Sequence, residues 1–230
     1  MKKILFATLL VFSIGSYAQL DLGVDIQSRY IWRGLQLGGN SASVQPYIEY
    51  STGKFAFGAW GAYNLGGTGQ GNEADLYMTY SPNESLSFTL TDYFFPGDNN
   101  NQGYTPYNTG HVFEAMVSYA SSGGFGMAIA TNLGGAIKYD DGGDEKSAYS
   151  TYVELNYEKT VDNIDYSLFA GAVFGDDNGY YFTDGSGLIN LGLSASKEIQ
   201  ITEKWALPVN AALIFNPDEE NIFITFGFSI

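Results

Sequence analysis

The sequence contains no cysteine. That absence excludes disulfide bonds, thiolate metal sites and a lipid attached to a cysteine. Only one histidine, His111, is present, which leaves little material for histidine-based catalysis. Basic residues are also scarce, because ten Lys and Arg stand against 25 Asp and Glu, for a net charge of −15. Such an acidic chain repels phosphate backbones, so nucleic acids are not expected partners.

Long apolar runs are missing too, apart from one near the start of the chain. Two lysines precede an apolar run over 4–15, and Ser16-Tyr17-Ala18 forms a small-x-small cleavage motif. The run is about a dozen residues, whereas a membrane-spanning helix needs about 20, which disfavours an N-terminal membrane anchor. We therefore predict a signal peptide over 1–18 and one mature domain over 19–230.

What the sequence has instead is a regular alternation of apolar and polar residues. In the first segment Leu22 and Val24 fall on one face of a strand, and Asp25 and Arg29 fall on the other. Most of the alternating segments are near the 9–11 residues that a tilted transmembrane strand requires. We count about twelve of them: 20–33, 42–51, 54–64, 72–81, 85–95, 110–119, 124–133, 147–158, 163–174, 187–196, 203–214 and 221–230.

The connections between these segments alternate in length. Short turns at 51–53, 82–83 and 121–123 and somewhat longer links at 159–162 and 197–202 lie on one side, and longer polar links on the other: 34–41, 65–71, 96–109, 134–146 and 175–186. Short turns on one side and long loops on the other are typical of an outer-membrane barrel. A soluble β-sandwich is the competing fold, because it also has one apolar and one polar face.

Aromatic residues distinguish the two folds. One group of rings marks one end of the strands: Tyr50, Tyr80, Tyr119, Tyr157, Phe55, Phe125 and Trp205. A second group marks the other end: Trp32, Tyr63, Phe113, Tyr149 and Phe174. Two belts of rings suit the two lipid–water boundaries, and an inserted sheet must close because unpaired backbone groups are costly in hydrocarbon. We predict an all-β, closed antiparallel transmembrane β-barrel of about 12 strands with up-and-down topology, in the outer membrane of a Gram-negative cell.

One motif is more specific than this general alternation. It is Ser28-x-Tyr30-x-Trp32-Arg33-Gly34, and Ser43-Val44-Gln45, Gly58-x-Trp60 and Glu73-x-Asp75-x-Tyr77 follow it. With these motifs the stretch 28–119 resembles the TorF-type porin family, a group of conserved hypothetical outer-membrane barrels. The resemblance covers a little under half of the mature chain and implies a barrel with pore activity but no particular substrate. Pro46 departs from the pattern, where a small residue is expected.

The polar faces of the strands would line the lumen of such a barrel. Acidic rings in a pore favour cations, so we predict a porin or channel for passive diffusion of small hydrophilic solutes or ions, with a cation preference. In the alternative, carboxylates pair with arginines and fill the interior, leaving a non-conducting structural or adhesive barrel that acts through its extracellular loops. The predicted pore-lining residues are Asp25, Arg29, Arg33, Glu49, Trp60, Glu73, Asp75, Tyr77, Glu114 and Glu154.

The expected partners are those of a membrane-inserted barrel. Outer-membrane lipid and lipopolysaccharide would surround the apolar faces. The C-terminal strand, with Ile222, Ile224, Phe226, Phe228 and Ile230 on one face, resembles the signal that barrel-assembly machinery recognises. The sequence does not indicate an oligomeric state.

No catalytic activity and no cofactor are predicted. His111 has no nucleophile placed beside it in the sequence, and a polar role at the membrane interface is favoured for it. The acidic loops at 140–145, 176–177 and 218–220 have oxygen ligands, but their spacing fits no calcium-loop pattern. We interpret them as solvated surface charge.

Overall fold

The computed structural model describes residues 19–66, 71–96, 103–105, 107, 110–140 and 142–230. The predicted signal peptide over 1–18 lies outside these residues. Within the described part, twelve strands form one closed antiparallel barrel, and four short strands form two separate hairpins. Each barrel strand pairs with its neighbours in sequence. The predicted closed up-and-down barrel is therefore confirmed.

The strands are numbered in chain order, and β1 and the last strand close the barrel, with Asp25 opposite Ser229. The strands are β1 (Gln19–Gln27), β2 (Tyr30–Trp32), β3 (Leu35–Leu37), β4 (Ser43–Thr52), β5 (Phe55–Asn64), β6 (Glu73–Asn83), β7 (Leu86–Phe94), β8 (His111–Ala120), β9 (Phe125–Gly134), β10 (Ile137–Tyr139), β11 (Glu145–Ser147), β12 (Thr151–Val161), β13 (Ile164–Phe174), β14 (Ser186–Thr202), β15 (Trp205–Asn216) and β16 (Asn221–Ser229). The two hairpins are β2–β3 and β10–β11.

The two ends of the barrel differ as the sequence predicts. Tight turns join strands at one end, which we call the short-turn end. The N-terminal end of β1 and the C-terminal end of β16 also lie there. In the turn between β12 and β13, Asp162 and Asn163 both have positive φ, as a two-residue hairpin turn requires. The opposite end, the long-loop end, carries the connections over 28–42, 65–72, 95–110, 135–150 and 175–185.

The outer surface of the barrel is apolar and exposed. On β16 the side chain of Ile224 is 70% exposed, whereas the next residue, Thr225, is 6% exposed and faces the interior. Leu22, Leu155 and Leu213 are exposed in the same way on other strands. An apolar surface that encircles a molecule is not stable in water and indicates contact with an apolar phase.

The aromatic belt at the short-turn end is present, and its rings contact one another across strands. Phe55 lies 5.0 Å from Tyr80, and Phe125 lies 4.8 Å from Tyr157, measured between ring centroids. At the long-loop end, four rings of the second group are exposed outside the barrel: Tyr63, Phe113, Tyr149 and Phe174.

The assignment of Trp32 to this second belt is wrong. The first strand was expected to run over 20–33, but β1 ends at Gln27 and the chain turns into the barrel. Trp32 lies in β2 and stacks on Tyr181, with 5.3 Å between centroids and 7° between planes. The alternation continues through β2 because an inner hairpin also has two faces, so the period alone does not show that the chain has left the wall.

A second boundary also differs from the prediction. The strand expected over 187–196 is β14, which continues to Thr202 and pairs with β15 as far as Trp205. The link expected over 197–202 is therefore part of the sheet. Across the described residues, no segment forms a helix long and apolar enough to cross a membrane.

Candidate functional site

The interior wall of the barrel is acidic. Among the described residues, every charged side chain at an inward position of the barrel strands is a carboxylate, because the alternation places the lysines of these strands outside or in turns. The inward acids are Asp21, Asp25, Glu49, Glu73, Asp75, Glu114, Glu154, Glu158, Asp165 and Glu198.

Toward the short-turn end, neutral groups hold the predicted pore-lining acids. Glu49 accepts hydrogen bonds from the Tyr77 hydroxyl at 2.9 Å and from Ser51 at 3.1 Å. Asp25 accepts one from the Ser229 hydroxyl at 2.5 Å. In the part of the chain that the structure describes, no Lys or Arg forms an ion pair with these two carboxylates. Within the described residues, these two acids therefore have no basic side chain to neutralise them.

Glu154 is held in a similar way, across three strands. Its Oε2 accepts hydrogen bonds from the Tyr152 hydroxyl at 2.5 Å and from the Asn190 amide at 3.0 Å. The Tyr152 ring lies over Gly171 on the intervening strand, where an added Cβ would overlap the phenol. Tyr77 lies over Gly58 in the same manner. These glycines let large rings lie flat against the wall instead of crossing the lumen.

Glu73, Asp75 and Trp60 lie near the long-loop end and contact the inserted chain or the strand ends. Glu73 accepts a hydrogen bond from the Tyr30 hydroxyl at 2.8 Å, and Trp60 packs on the Tyr30 ring at 5.5 Å. Asp75 accepts a hydrogen bond from the main-chain N–H of Phe94 at 3.4 Å. These predicted lumen residues therefore help to fix the mouth of the barrel.

Arg33 is the cation that enters this acidic interior. Its guanidinium donates two hydrogen bonds to Glu114, at 2.6 and 2.8 Å, and a third to the Tyr181 hydroxyl. It also lies 4.5 Å from the centre of the Trp32 ring and 4.7 Å from that of Tyr152. We call these four partners the guanidinium cage. The side chains of Arg33 and Glu114 are only 9% and 1% exposed, so the pair is a buried one.

Arg29 is placed differently from Arg33. Its guanidinium donates to Gln36 at 2.8 Å and to Asn40 at 3.1 Å, both within the connection that follows β1. Since β1 ends at Gln27, Arg29 is not part of a wall strand, and its described contacts do not join it to the lumen acids. Both arginines were predicted to line the lumen, and among the described residues Arg33 is the one that pairs with a lumen acid.

Two connections fold into the long-loop end of the barrel and fill it. We call them the plug, meaning residues 28–42 with the β2–β3 hairpin and residues 175–185. Buried Leu35 and Tyr181 of the plug pack against wall residues Ala130, Val173 and Ile189. Trp32 and Tyr180 extend this packing to a neighbouring cluster: Tyr93, Val112, Ala136 and Ala148. Packed side chains of the plug therefore occupy the interior at this end of the described barrel.

Asp176 holds the second plug segment in its bent form. The residue is fully buried, and its carboxylate accepts hydrogen bonds from the main-chain N–H groups of Tyr181 at 3.0 Å and Thr183 at 2.9 Å. The hydroxyl of Ser150 also donates to it. One of the acidic residues that we interpreted as solvated surface charge is thus a buried centre of hydrogen bonds. Its neighbour Asp177 is exposed and pairs with Lys138 at 2.6 Å.

His111 belongs to a polar cluster on the outer rim of the barrel. Its Nδ1 lies 2.8 Å from Asp92 Oδ1, and its Nε2 lies 2.9 Å from the main-chain oxygen of Tyr104. The Tyr104 hydroxyl donates to Asp92 at 2.7 Å. Asp92 occupies an outward position on β7, so this loop covers a carboxylate that would otherwise meet the apolar phase. Both ring nitrogens of His111 are engaged in holding the loop.

The acidic loops form ion pairs and main-chain contacts. Asp140 pairs with Lys146 at 2.5 Å across the β10–β11 hairpin. That lysine lowers the pKa of Asp140, and the main-chain N–H of Asp144 lowers it further. No group of three or more His, Asp or Glu within the described ranges is arranged to hold a metal ion.

Sequence reasoning missed the residues that close the lumen. Tyr180, Tyr181 and Asp176 lie in a connection that reads as an ordinary polar loop. The available signal was its two adjacent tyrosines, because two large rings in a loop facing water would be unusual. Tyr93 was also missed, although its hydroxyl donates to Glu114 at 3.1 Å.

Comparison with known proteins places the chain in one family and shows its likeness to solved barrels, among them NanC and Wzi. The model of a bacterial protein family of unknown function, Gcw_chp, matches residues 15–206. The solved structure of the NanC porin aligns with a TM-score of 0.56 at 8% identity, over 91% of this chain and 98% of NanC. Wzi, an outer-membrane protein involved in group 1 capsule assembly in Escherichia coli and a carbohydrate-binding β-barrel, aligns with a TM-score of 0.36 at 13% identity, over 82% of this chain and 51% of Wzi. No curated protein sequence matches this chain.

Proposed function

Since this chain belongs to Gcw_chp, a bacterial family of unknown function, and has the fold of an outer-membrane porin, we propose that it is a channel for small hydrophilic solutes or ions that prefers cations. The likeness to NanC concerns the fold alone, at 8% identity. The cation preference rests on the carboxylates of the chain's own interior.

The observation that carries the proposal is the unbalanced charge of the lumen. Inward carboxylates such as Glu49 and Asp25 are held by hydroxyl donors, which leave the negative charge in place. Within the described barrel, the cation paired with an inward acid is Arg33, which neutralises Glu114. The low dielectric of the surrounding wall strengthens the remaining field, which attracts cations and repels anions.

The plug limits the size of what passes. Packed aromatic and apolar side chains close the long-loop end, so the resting barrel conducts weakly until the plug shifts. The same observation favours a second function, a non-conducting structural or adhesive barrel that acts through its extracellular loops. The two functions differ in whether opening the plug produces a current.

The proposal includes a cellular location. The apolar outer belt suits the outer membrane, with lipid and lipopolysaccharide around it and the long loops facing outward. Residues 1–18 would serve as the export signal, and the exposed Ile222, Ile224 and Phe226 of β16 would be read by the barrel-assembly machinery. Membership of the TorF-type family stays a prediction.

Single-channel recording in a planar bilayer tests the function. The refolded protein should show current steps, and in a KCl gradient the reversal potential should have the sign of cation selectivity. The double variant Glu49→Gln with Glu154→Gln should move that potential toward zero because two lumen charges are removed. The matched control is Glu219→Gln, which removes a carboxylate in the exposed 217–220 turn.

Two results would overturn the proposal. Absence of current steps from refolded protein, including the plug variant Arg33→Met, would remove the channel and leave the non-conducting barrel. A reversal potential of the opposite sign would remove the cation preference.

A further inference from the structure

The guanidinium cage has the composition of a receptor site. The two oxygens of the Glu114 carboxylate accept hydrogen bonds from the two terminal nitrogens of the Arg33 guanidinium, and two aromatic rings lie 4.5 and 4.7 Å from its centre. Bidentate carboxylate contact with ring stacking is the arrangement that best recognises a planar guanidinium, and the ring faces also attract ammonium groups.

The cage is divided between the wall and the plug. Glu114 on β8 and Tyr152 on β12 belong to the barrel wall. Trp32 belongs to the β2–β3 hairpin, which also carries Arg33, and Tyr181 belongs to the second plug segment. Arg33 and the glycine after it form the two-residue turn of this hairpin, and both have positive φ, as such a turn requires. The hairpin tip thus presents its cation to a site that the wall supplies.

Beside the cage, the wall has polar groups that the chain does not use. Asn132 stands opposite Glu114 in the β8–β9 register, is buried, and has no hydrogen-bond partner for either side-chain amide atom within the described structure. Asn190, which donates to Tyr152 and Glu154, has an unused and buried Oδ1. Unpaired polar atoms at such burial are costly, and they suit a polar ligand.

We propose that Glu114 and Tyr152, with Asn132 beside them, form a binding site for a solute that carries a guanidinium or alkylammonium group. Arg33 is the built-in ligand of this site and holds the plug shut. A solute of that class that displaces Arg33 frees the hairpin tip and is itself held on the lumen wall. This proposal rests on the proposed channel function only for the route by which the solute arrives.

Chemical rescue tests the site. The variant Arg33→Met keeps side-chain volume at the hairpin tip but empties the cage of its cation. In detergent, isothermal titration calorimetry should show that refolded Arg33→Met binds methylguanidinium about tenfold or more tightly than the wild type does, because the wild-type site is occupied. Methylurea has the same shape without charge and should not bind measurably.

Two control variants make the result specific. Arg29→Met removes an arginine from the same connection, but one that contacts Gln36 and Asn40 instead of the cage, so it should behave as the wild type. The double variant Arg33→Met with Glu114→Gln should lose the methylguanidinium affinity. Because both substitutions are made together, no unpaired charge is left to unfold the barrel.

The outcomes separate this site from the channel function. If Arg33→Met binds methylguanidinium but carries no current, the site stands and the channel proposal falls. If Arg33→Met conducts but binds methylguanidinium no better than methylurea, the site is overturned and the channel proposal stands. Equal binding by Arg33→Met and by its Glu114→Gln double variant would also overturn the site.

Discussion

The two halves of the barrel interior carry the same kind of carboxylate on the wall but treat it differently. At the long-loop end, Glu114 is buried against a cation and the plug fills the space. At the short-turn end, Glu49 and Asp25 are held by hydroxyl groups, and no described connection folds back to cover them. The wall by itself is therefore acidic, and within the described residues the cation that neutralises one of its acids comes from the inserted connection. In the proposed channel, the plug at the long-loop end closes the barrel, and the acids at the short-turn end select the ion.

The largest expected effect comes from breaking the buried pair at the long-loop end. Glu114→Ala should lower the free energy of unfolding by about 3–5 kcal/mol, because it leaves the Arg33 charge buried without a partner. Reversible urea unfolding of the refolded barrel, followed by tryptophan fluorescence, measures this loss. The double variant Arg33→Met with Glu114→Met should recover most of it, since no charge remains buried. A double variant as unstable as Glu114→Ala would contradict this explanation.

The second plug segment should be almost as sensitive. Asp176→Ala removes a buried acceptor of two main-chain N–H groups, and we expect a loss of about 2–3 kcal/mol together with protease cleavage within 175–185. Asp177→Ala is the control, because that side chain is 58% exposed and its ion pair with Lys138 should contribute little. Equal protection of both variants from protease would show that Asp176 does not hold the segment.

In the short-turn half, a change in the shape of the lumen is expected to change the single-channel current. In Gly58→Ala the new methyl overlaps the Tyr77 ring, so the ring must tilt into the lumen, at a cost of about 1–3 kcal/mol. We expect a smaller single-channel current without a change in the sign of selectivity. Gly134→Ala is the matched control, because a Cβ there meets no atom within 4 Å. A current in Gly58→Ala equal to that of the control would mean that Tyr77 does not limit the lumen.

The smallest effect concerns a loop outside both halves. The pKa of Asp140 is lowered by Lys146, so the stabilisation from this pair is complete above the unfolded value of about 3.9 and is lost as the pH falls through the lower folded pKa. The amide chemical shift of Asp144, whose N–H donates to Asp140, should therefore titrate with a midpoint below pH 3.9 in NMR spectra. A midpoint at or above that value would contradict the pairing.

Much of the wall was predictable from the sequence, because a barrel imposes a period of two on residues that face lipid and lumen. The belt tyrosines and the inward place of Glu49 both follow from it. The plug does not. Arg33 and Glu114 are 81 residues apart, and no local pattern reports that a connection turns inward instead of outward. Trp32 was misplaced for this reason, since an inner hairpin alternates as a wall strand does.

The central claim is that alternate residues of each strand face acyl chains and an aqueous lumen. The absence of cysteine makes single-cysteine variants along 153–157 of β12 simple to spin-label. In lipid vesicles, nitroxides at Val153, Leu155 and Tyr157 should collide mainly with oxygen, and those at Glu154 and Asn156 mainly with a water-soluble nickel chelate. An alternation of period two with those phases is the predicted result. Nickel accessibility at Leu155 as high as at Glu154 would contradict the account.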